Sequence, residues 1–162
     1  MKLGAPVQCV AVAGRHVIAV GARFYASSDE GRSFADVTPE GAALRFPGCA
    51  IAADGWAWVF DGDLVGGGHL FVRAPGGAFA RRSPAHRDMR VIVLNPADGR
   101  EAWVGAWGGG VYRSVDGGGS FTRLGLRGGE VRSLAVDFAG RRVYAATSNL
   151  ISPKGVWTRP FE

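Results

Sequence analysis

The chain has 162 residues and a formal net charge of +5, carried by 17 arginines and only two lysines. That length allows one well-buried domain, and no stretch approaches the roughly 20 apolar residues needed to cross a bilayer as a helix. The cations are scattered, without a dense basic helix or an aromatic RNA-reading signature, so charge alone gives no case for a nucleic-acid platform.

In chain order, the first apolar run is Cys9-Val10-Ala11-Val12, followed by the turn Gly14-Arg15 and a second run around Ile18. Tyr25 leads into the phrase Ser27-x-Asp29-x-Gly31-x-Ser33-Phe34. The pattern then starts again with Cys49 to Ala52, the turn Asp54-Gly55, a run around Trp58, and Gly66-Gly67-Gly68-His69-Leu70 leading to Ala78-Phe79, with Ala74 where the Asp would stand. A third round runs from Val91 to Leu94, through Asp98-Gly99-Arg100, Trp103 and Tyr112, to Ser114-x-Asp116-x-Gly118-x-Ser120-Phe121. The fourth begins at Ser133 to Val136, turns at Gly140-Arg141-Arg142, passes Tyr144 and is shortened at Ser152-Pro153-Lys154-Gly155, so that Val156 to Phe161 is expected as its last strand.

Each apolar run is short, rich in Val, Ile, Trp and Tyr, and bounded by Gly, Asp or Asn, which is the pattern of a strand. Asp-Gly pairs supply the positive backbone angles of tight hairpins. Units of four strands recurring at roughly 40 to 45 residues fit β-propeller blades rather than helical solenoids. The chain therefore reads as all-β, a single β-propeller domain over 1–162 with four four-stranded antiparallel blades near 5–41, 42–84, 85–126 and 127–162. The 26 glycines, about twice the usual share, are assigned to its turns.

The segment from Trp103 to Leu124, with its counterpart around Ser27 to Phe34, resembles the Asp-box or BNR repeat, S-x-D-x-G-x-T-W, found between the third and fourth strands of a blade. Here Ser33 and Ser120 replace the Thr, and Phe34 and Phe121 replace the Trp. Such repeats occur in sialidases, sortilin-type receptors and photosystem assembly factors, so the resemblance implies a blade and not an activity. Ser27, Asp29, Gly31, Phe34, Ser114, Asp116, Gly118 and Phe121 are accordingly read as structural: the carboxylate holds turn amides, the glycines take angles barred to other residues, and the aromatic packs between blades. No second carboxylate stands at calcium-loop spacing, so neither a metal nor a cofactor is expected.

The resemblance also implies that ligands favour the loop face opposite the boxes, near the axis. That face collects Arg23, Asp61, Asp63, Trp107, Asn149 and the interblade segments with Pro39, His86, Arg87 and Arg127; Arg90 and Arg132 start the innermost strands of the third and fourth units. Arg23, Asp61, Asp63, Arg90, Trp107 and Arg132 are the candidate ligand-binding residues. Arginine suits carboxylates and phosphates, which points to a protein partner or an anionic ligand, held by a non-catalytic binding module or assembly scaffold. Replacing Arg90 and Arg132 together is expected to abolish capture without loss of stability.

A sialidase-like glycoside hydrolase, or a carbohydrate-binding propeller, is the alternative. Asp61 and Asp63 could form its carboxylate pair, but they fit a turn equally well. Arg45-Phe46-Pro47 only partly echoes the sialidase arginine motif, and the tyrosine nucleophile is missing: Tyr25 and Tyr112 precede the boxes, and Tyr144 aligns with Trp58 and Trp103 as repeat core. Cys9 and Cys49, at equivalent strand positions in a chain with this much core, read as small buried thiols. Without a signal-peptide pattern the chain is expected in the cytoplasm, although a secreted form with its signal removed would look the same. Three arrangements are open: four blades closing on themselves, two chains pairing head to tail around a two-fold axis into eight, or a partial propeller whose end blades are exposed.

Overall fold

The computed structural model describes residues 3–62, 68–148 and 155–162. The described residues contain fifteen strands and no helix, and the strands form four antiparallel sheets in chain order, each a simple up-and-down meander. The first blade holds β1 (Val7–Ala13), β2 (His16–Gly21), β3 (Phe24–Ser27) and β4 (Ala35–Asp36). The second holds β5 (Pro47–Ile51), β6 (Ala57–Asp61), β7 (His69–Arg73) and β8 (Phe79–Arg82). The third is built of β9 (Met89–Asn95), β10 (Asp98–Ala106), β11 (Gly110–Ser114) and β12 (Thr122–Gly125), and the fourth of β13 (Val131–Asp137), β14 (Arg142–Thr147) and β15 (Gly155–Pro160). The all-β propeller architecture read from the repeat is the observed one.

One strand is placed differently. β15 pairs directly with β14, from Arg142 opposite Pro160 to Thr147 opposite Gly155, so it is the third strand of its blade and not the fourth. Among the described residues this blade has three strands; the expected turn at Ser152 to Lys154 lies outside them.

Blades meet face to face. Ile18, Val20, Phe24 and Ala26 on the forward face of the first blade pack on Ala57, Val59, Phe71 and Phe79 of the second. Trp58, Phe60, Leu70 and Val72 then pack on Ile92, Leu94, Val104 and Tyr112 of the third. Trp103 and Val111 pack on Val131, Leu134, Val143 and Ala145 of the fourth. Successive apolar side chains of the inner strands point to opposite faces, so the second and third blades are apolar on both, as a stacked array requires. A phenylalanine of the later blade closes each interface edge to face or tilted: Phe79 lies 5.3 Å from Phe24, Phe121 6.3 Å from Trp58, and Phe161 4.8 Å from Trp103 between ring centres.

The blades form an open arc. β1 packs on β5, β5 on β9 and β9 on β13, and no packing of that order joins β13 back to β1. Val10 and Val12 on the free face of the first blade are 60% and 64% exposed, and Tyr144 and Val156 on the free face of the fourth are 36% and 72% exposed. Tyr144 thus holds the strand position of Trp58 and Trp103 without their burial.

Cys9 and Cys49 form a disulfide, with Cα atoms 5.9 Å apart, which corrects their reading as separate buried thiols. The pairing explains it. Ala11 sits opposite Ile18 and Ala50 opposite Trp58, so the true counterpart of Cys49 is Val10. A one-residue slip turns a strand side chain to the other face; Cys9 therefore points forward, Cys49 points back, and they meet between the blades.

The two S-x-D-x-G-x-S-F turns are built alike. Asp116 Oδ1 accepts from the Ser120 amide (3.0 Å) and from the Ser114 hydroxyl (2.9 Å), its Oδ2 accepts from the Ser120 hydroxyl (2.7 Å), and the Gly118 amide donates to Ser114 Oγ (3.0 Å). Asp29 repeats this with Ser33, Ser27 and Gly31. The bonds from Ser120, side chain first, hold the Asp116 carboxyl down at about 2, and those from Ser33 depress Asp29 further. Gly31 and Gly118 take φ of 83° and 79°, as expected for these positions. Other glycines serve strands instead of turns. A Cβ at Gly48 would stand 2.1 Å from the Phe60 ring, and one at Gly105 would stand 2.5 Å from Val131 and 2.7 Å from Val91. These are places of close approach between sheet elements.

Candidate functional site

The turn between β10 and β11 and the segment entering β9 lie together. The Trp107 amide donates to the Asp88 carbonyl (2.9 Å), and Gly109 lies so close beneath the His86 ring that a Cβ there would meet it at 2.8 Å. The Asp88 amide donates to His86 Nδ1 (3.2 Å). Burial, opposed by the Asp88 charge and reinforced by Arg87 and Arg123, lowers the His86 pKa, so the ring is neutral at pH 7 and accepts that bond.

Asp88 is fully buried and faces Arg90, whose Nη2 donates to Oδ2 (3.0 Å) while Nε lies 2.7 Å from Oδ1. The pair fixes Arg90 so that its guanidinium carbon is 5.3 Å from the centre of the Trp107 ring. Arg132, from the next blade, brings its own guanidinium carbon to 4.0 Å from the same ring and donates from Nε to Ser148 Oγ (2.7 Å). Among the described residues no carboxylate pairs with Arg132. Two cations share one half-buried indole, and among the described residues only Arg90 has a counterion. Guanidinium groups so placed have the donors that carboxylates and phosphates accept from.

Three of the six residues singled out from the sequence, Arg90, Trp107 and Arg132, are therefore brought together. Arg23 is elsewhere, paired with Asp36 in the first blade. Asp61 is 2% exposed, and its two oxygens accept the Arg45 and Phe46 amides at 3.0 Å each, so it clamps the chain entering β5. Asp63 and Asn149 lie outside the described residues. Asp88 and Ser148 were missed; the only sequence signal for Asp88 was its place two residues before Arg90, on the same side of an extended chain. Also missed was a second arginine cluster, where Arg113 pairs with Glu101, lies 5.4 Å from the Trp103 ring and 5.1 Å from Phe161, and donates to the Glu162 carbonyl (2.7 Å). These contacts engage the Arg113 guanidinium and tie Phe161 and Glu162 to the third blade.

Meandering antiparallel blades stacked around an axis define the β-propeller fold. No protein-family model matches the chain, and no curated protein matches it. Among solved structures, it is similar to the GH74 enzyme of Niastella koreensis (TM-score 0.65, 16% identity, 94% of this chain and 28% of that one). It is similar also to YCF48 from Cyanidioschyzon merolae (TM-score 0.65, 17% identity, 97% of this chain and 51% of that one) and to an ancestral GH74 enzyme (TM-score 0.62, 20% identity, 87% and 22%). These neighbours are propellers, and at such identities the likeness is one of fold. The chain spans about half the length of the YCF48 chain and less of the two enzymes.

Proposed function

We propose that the protein is a non-catalytic binding module of Asp-box blades whose loop face receives an acidic segment of a partner protein between Arg90, Trp107 and Arg132. The carrying observation is the Arg132 guanidinium on the Trp107 ring without a carboxylate partner among the described residues. A guanidinium held flat against an aromatic keeps its in-plane N–H donors free for bidentate contact with a carboxylate. The box geometry at Asp29 and Asp116, which clamps turns and leaves no carboxylate oxygen for chemistry, supports the Asp-box assignment and a scaffold role. Hydrolysis of glycosides calls for two carboxyl groups flanking a bond; Asp61 is held by backbone amides and Asp88 is buried against Arg90, which favours binding over hydrolysis. The interblade disulfide supports an oxidising compartment over the cytoplasm.

The test is a fluorescence-anisotropy titration with a labelled oligoglutamate peptide, using oligoglutamine as the neutral control. The acidic peptide is expected to bind and to weaken with salt, and Arg132→Ala is expected to weaken it about tenfold, the worth of one charge-assisted contact. Equal affinity for the two peptides, or no effect of Arg132→Ala, would sink the proposal.

A further inference from the structure

The register makes the interfaces between blades comparable position by position. Val17 sits opposite Ser27, Ala57 opposite Arg73 and Ala102 opposite Ser114, so the residues just before them, His16, Trp56 and Glu101, hold one place in the repeat. Trp56 shows what that place can hold. A Cβ at Gly99 would stand 2.3 Å from Trp56 Cβ, and one at Gly117 would stand 3.0 Å from its six-membered ring, so the indole lies against both glycines of the third blade at the Asp-box end.

Between the first and second blades the same place is underfilled. His16 stands for Trp56, and Ala26 opposite Ile18 stands for Val72 opposite Trp58. A Cβ at Gly55 would meet the His16 ring and Pro75 at 3.5 Å each, so the smaller ring points at the second blade as Trp56 points at the third. The facing turn is cut short as well: Phe79 follows Arg73 by six positions, where Phe121 follows Ser114 by seven. It carries no box carboxylate, and Arg73 Nε holds it by donating to the Gly77 carbonyl (2.6 Å). What is left is a cleft of about 190 Å³ whose walls include His16, Ala26, Gly55, Arg73, Pro75 and Gly76.

We infer that this cleft receives the aromatic side chain of a partner protein's peptide segment, seated where the repeat seats its own Trp56 one interface further on. Its size suits one ring: a cavity of about 150 Å³ already holds benzene, whereas pockets for free small molecules run from about 300 Å³ upward. Its chemistry selects a flat ring over an aliphatic chain. The backbone at Gly55 and Gly76 and the Pro75 ring give walls without branched side chains, and the half-buried His16 imidazole and Arg73 guanidinium favour an aromatic neighbour. The cleft opens at the Asp-box end of the blades, opposite Arg90, Trp107 and Arg132, so it is independent of the acidic-segment reading.

Amide NMR spectra of the isotope-labelled full chain test this, with acetyl-Gly-Trp-Gly-amide as the probe and acetyl-Gly-Leu-Gly-amide as the control; both are uncharged. The tryptophan peptide is expected to shift the Gly55 and Gly76 amides, half-saturating at about 1 mM as suits a single side chain, and the leucine peptide to act at least about tenfold more weakly. His16→Trp puts in the first interface the residue that the second already carries, and it is expected to fill the cleft and abolish the shifts. Ala35→Leu, at an exposed position lining the cleft, is expected to weaken them, and it decides the matter if His16→Trp does not fold. Arg132→Ala is expected to leave the titration unchanged, which separates this site from the proposed acidic one. No shift at Gly55 and Gly76, an equal response to the leucine peptide, or binding that survives both cleft substitutions overturns the proposal. Shifts with free indole but none with the peptide overturn it as well, the occupant then being a small molecule.

Discussion

Arg132 of the fourth blade holds its guanidinium carbon 4.0 Å from the centre of the Trp107 ring, which belongs to the third. Arg90, on the same ring, is tied to the buried Asp88, and this makes the two arginines unequal. Removing Arg132 forfeits a surface cation–π contact and is expected to cost about 0.5–1 kcal/mol. Arg90→Ala leaves a carboxylate buried without its partner and is expected to cost about 3 kcal/mol. The double substitution is therefore not silent for stability, contrary to the expectation from sequence. Urea denaturation of the single variants, with Arg90→Ala/Asp88→Asn as a partial rescue, checks the difference; equal losses for the two arginines would refute it.

Acid should act through the box carboxylates. The folded pKa of Asp116, about 2, lies below the ordinary aspartate value of 3.8, and that of Asp29 is lower still. The unfolded chain therefore takes up protons first as pH falls, so the stabilisation is complete above the ordinary value and is lost between there and about 2. Melting temperatures are expected to be level near neutrality and to drop through this acid window, with a shallower drop for Asp116→Asn. At neutral pH, Asp116→Ala is expected to cost on the order of 1 kcal/mol, since the carboxylate is open to solvent and its bonds are screened.

Thiol titration of the unfolded protein without reductant should find neither cysteine free, because Cys9 and Cys49 are joined. Reduction, or the Cys9→Ser/Cys49→Ser pair, is expected to lower stability by about 4 kcal/mol, the loop-closure entropy of a cross-link spanning 40 residues. Unchanged stability on reduction would count against a structural role for the bond.

Gly105 lies in a strand, and its missing side chain is what lets Val131 and Val91 come together there. Gly105→Ala is expected to cost about 1–3 kcal/mol through overpacking between the third and fourth blades. Thermal denaturation reads this directly, and a neutral result would mean that β13 can shift to make room.

Much of this molecule was legible in its sequence because the repeat carries its own alignment. The phrase around Asp29 and Asp116 located two turns, and counting outward located the blades. What was lost was lost to parity. Period-two alternation makes an error of one residue as serious as an error of fold, so pairing Cys9 with Cys49 as equivalents hid the disulfide. β15 went to the wrong place because composition does not say which neighbour a strand pairs with, and it pairs with β14. The candidate site was legible in part: Arg90 and Arg132 stand at equivalent repeat positions, which counting finds, and Trp107 lies in the loop between β10 and β11. Asp61 looked the same as a ligand or a clamp until its oxygens were seen to face the Arg45 and Phe46 amides. Asp88 was invisible, since nothing in a sequence says which carboxylate is buried.

The Cys9–Cys49 bond also sets a direction for unfolding. Among blades that touch only their neighbours, opening begins where the fewest restraints hold. The first two blades are sutured through their innermost strands, while the fourth has three strands among the described residues and one packed face. Amide hydrogen exchange should run as a gradient down the chain, fastest in β13 to β15 and slowest in β2 and β6, so that the arc melts from its last blade toward its first.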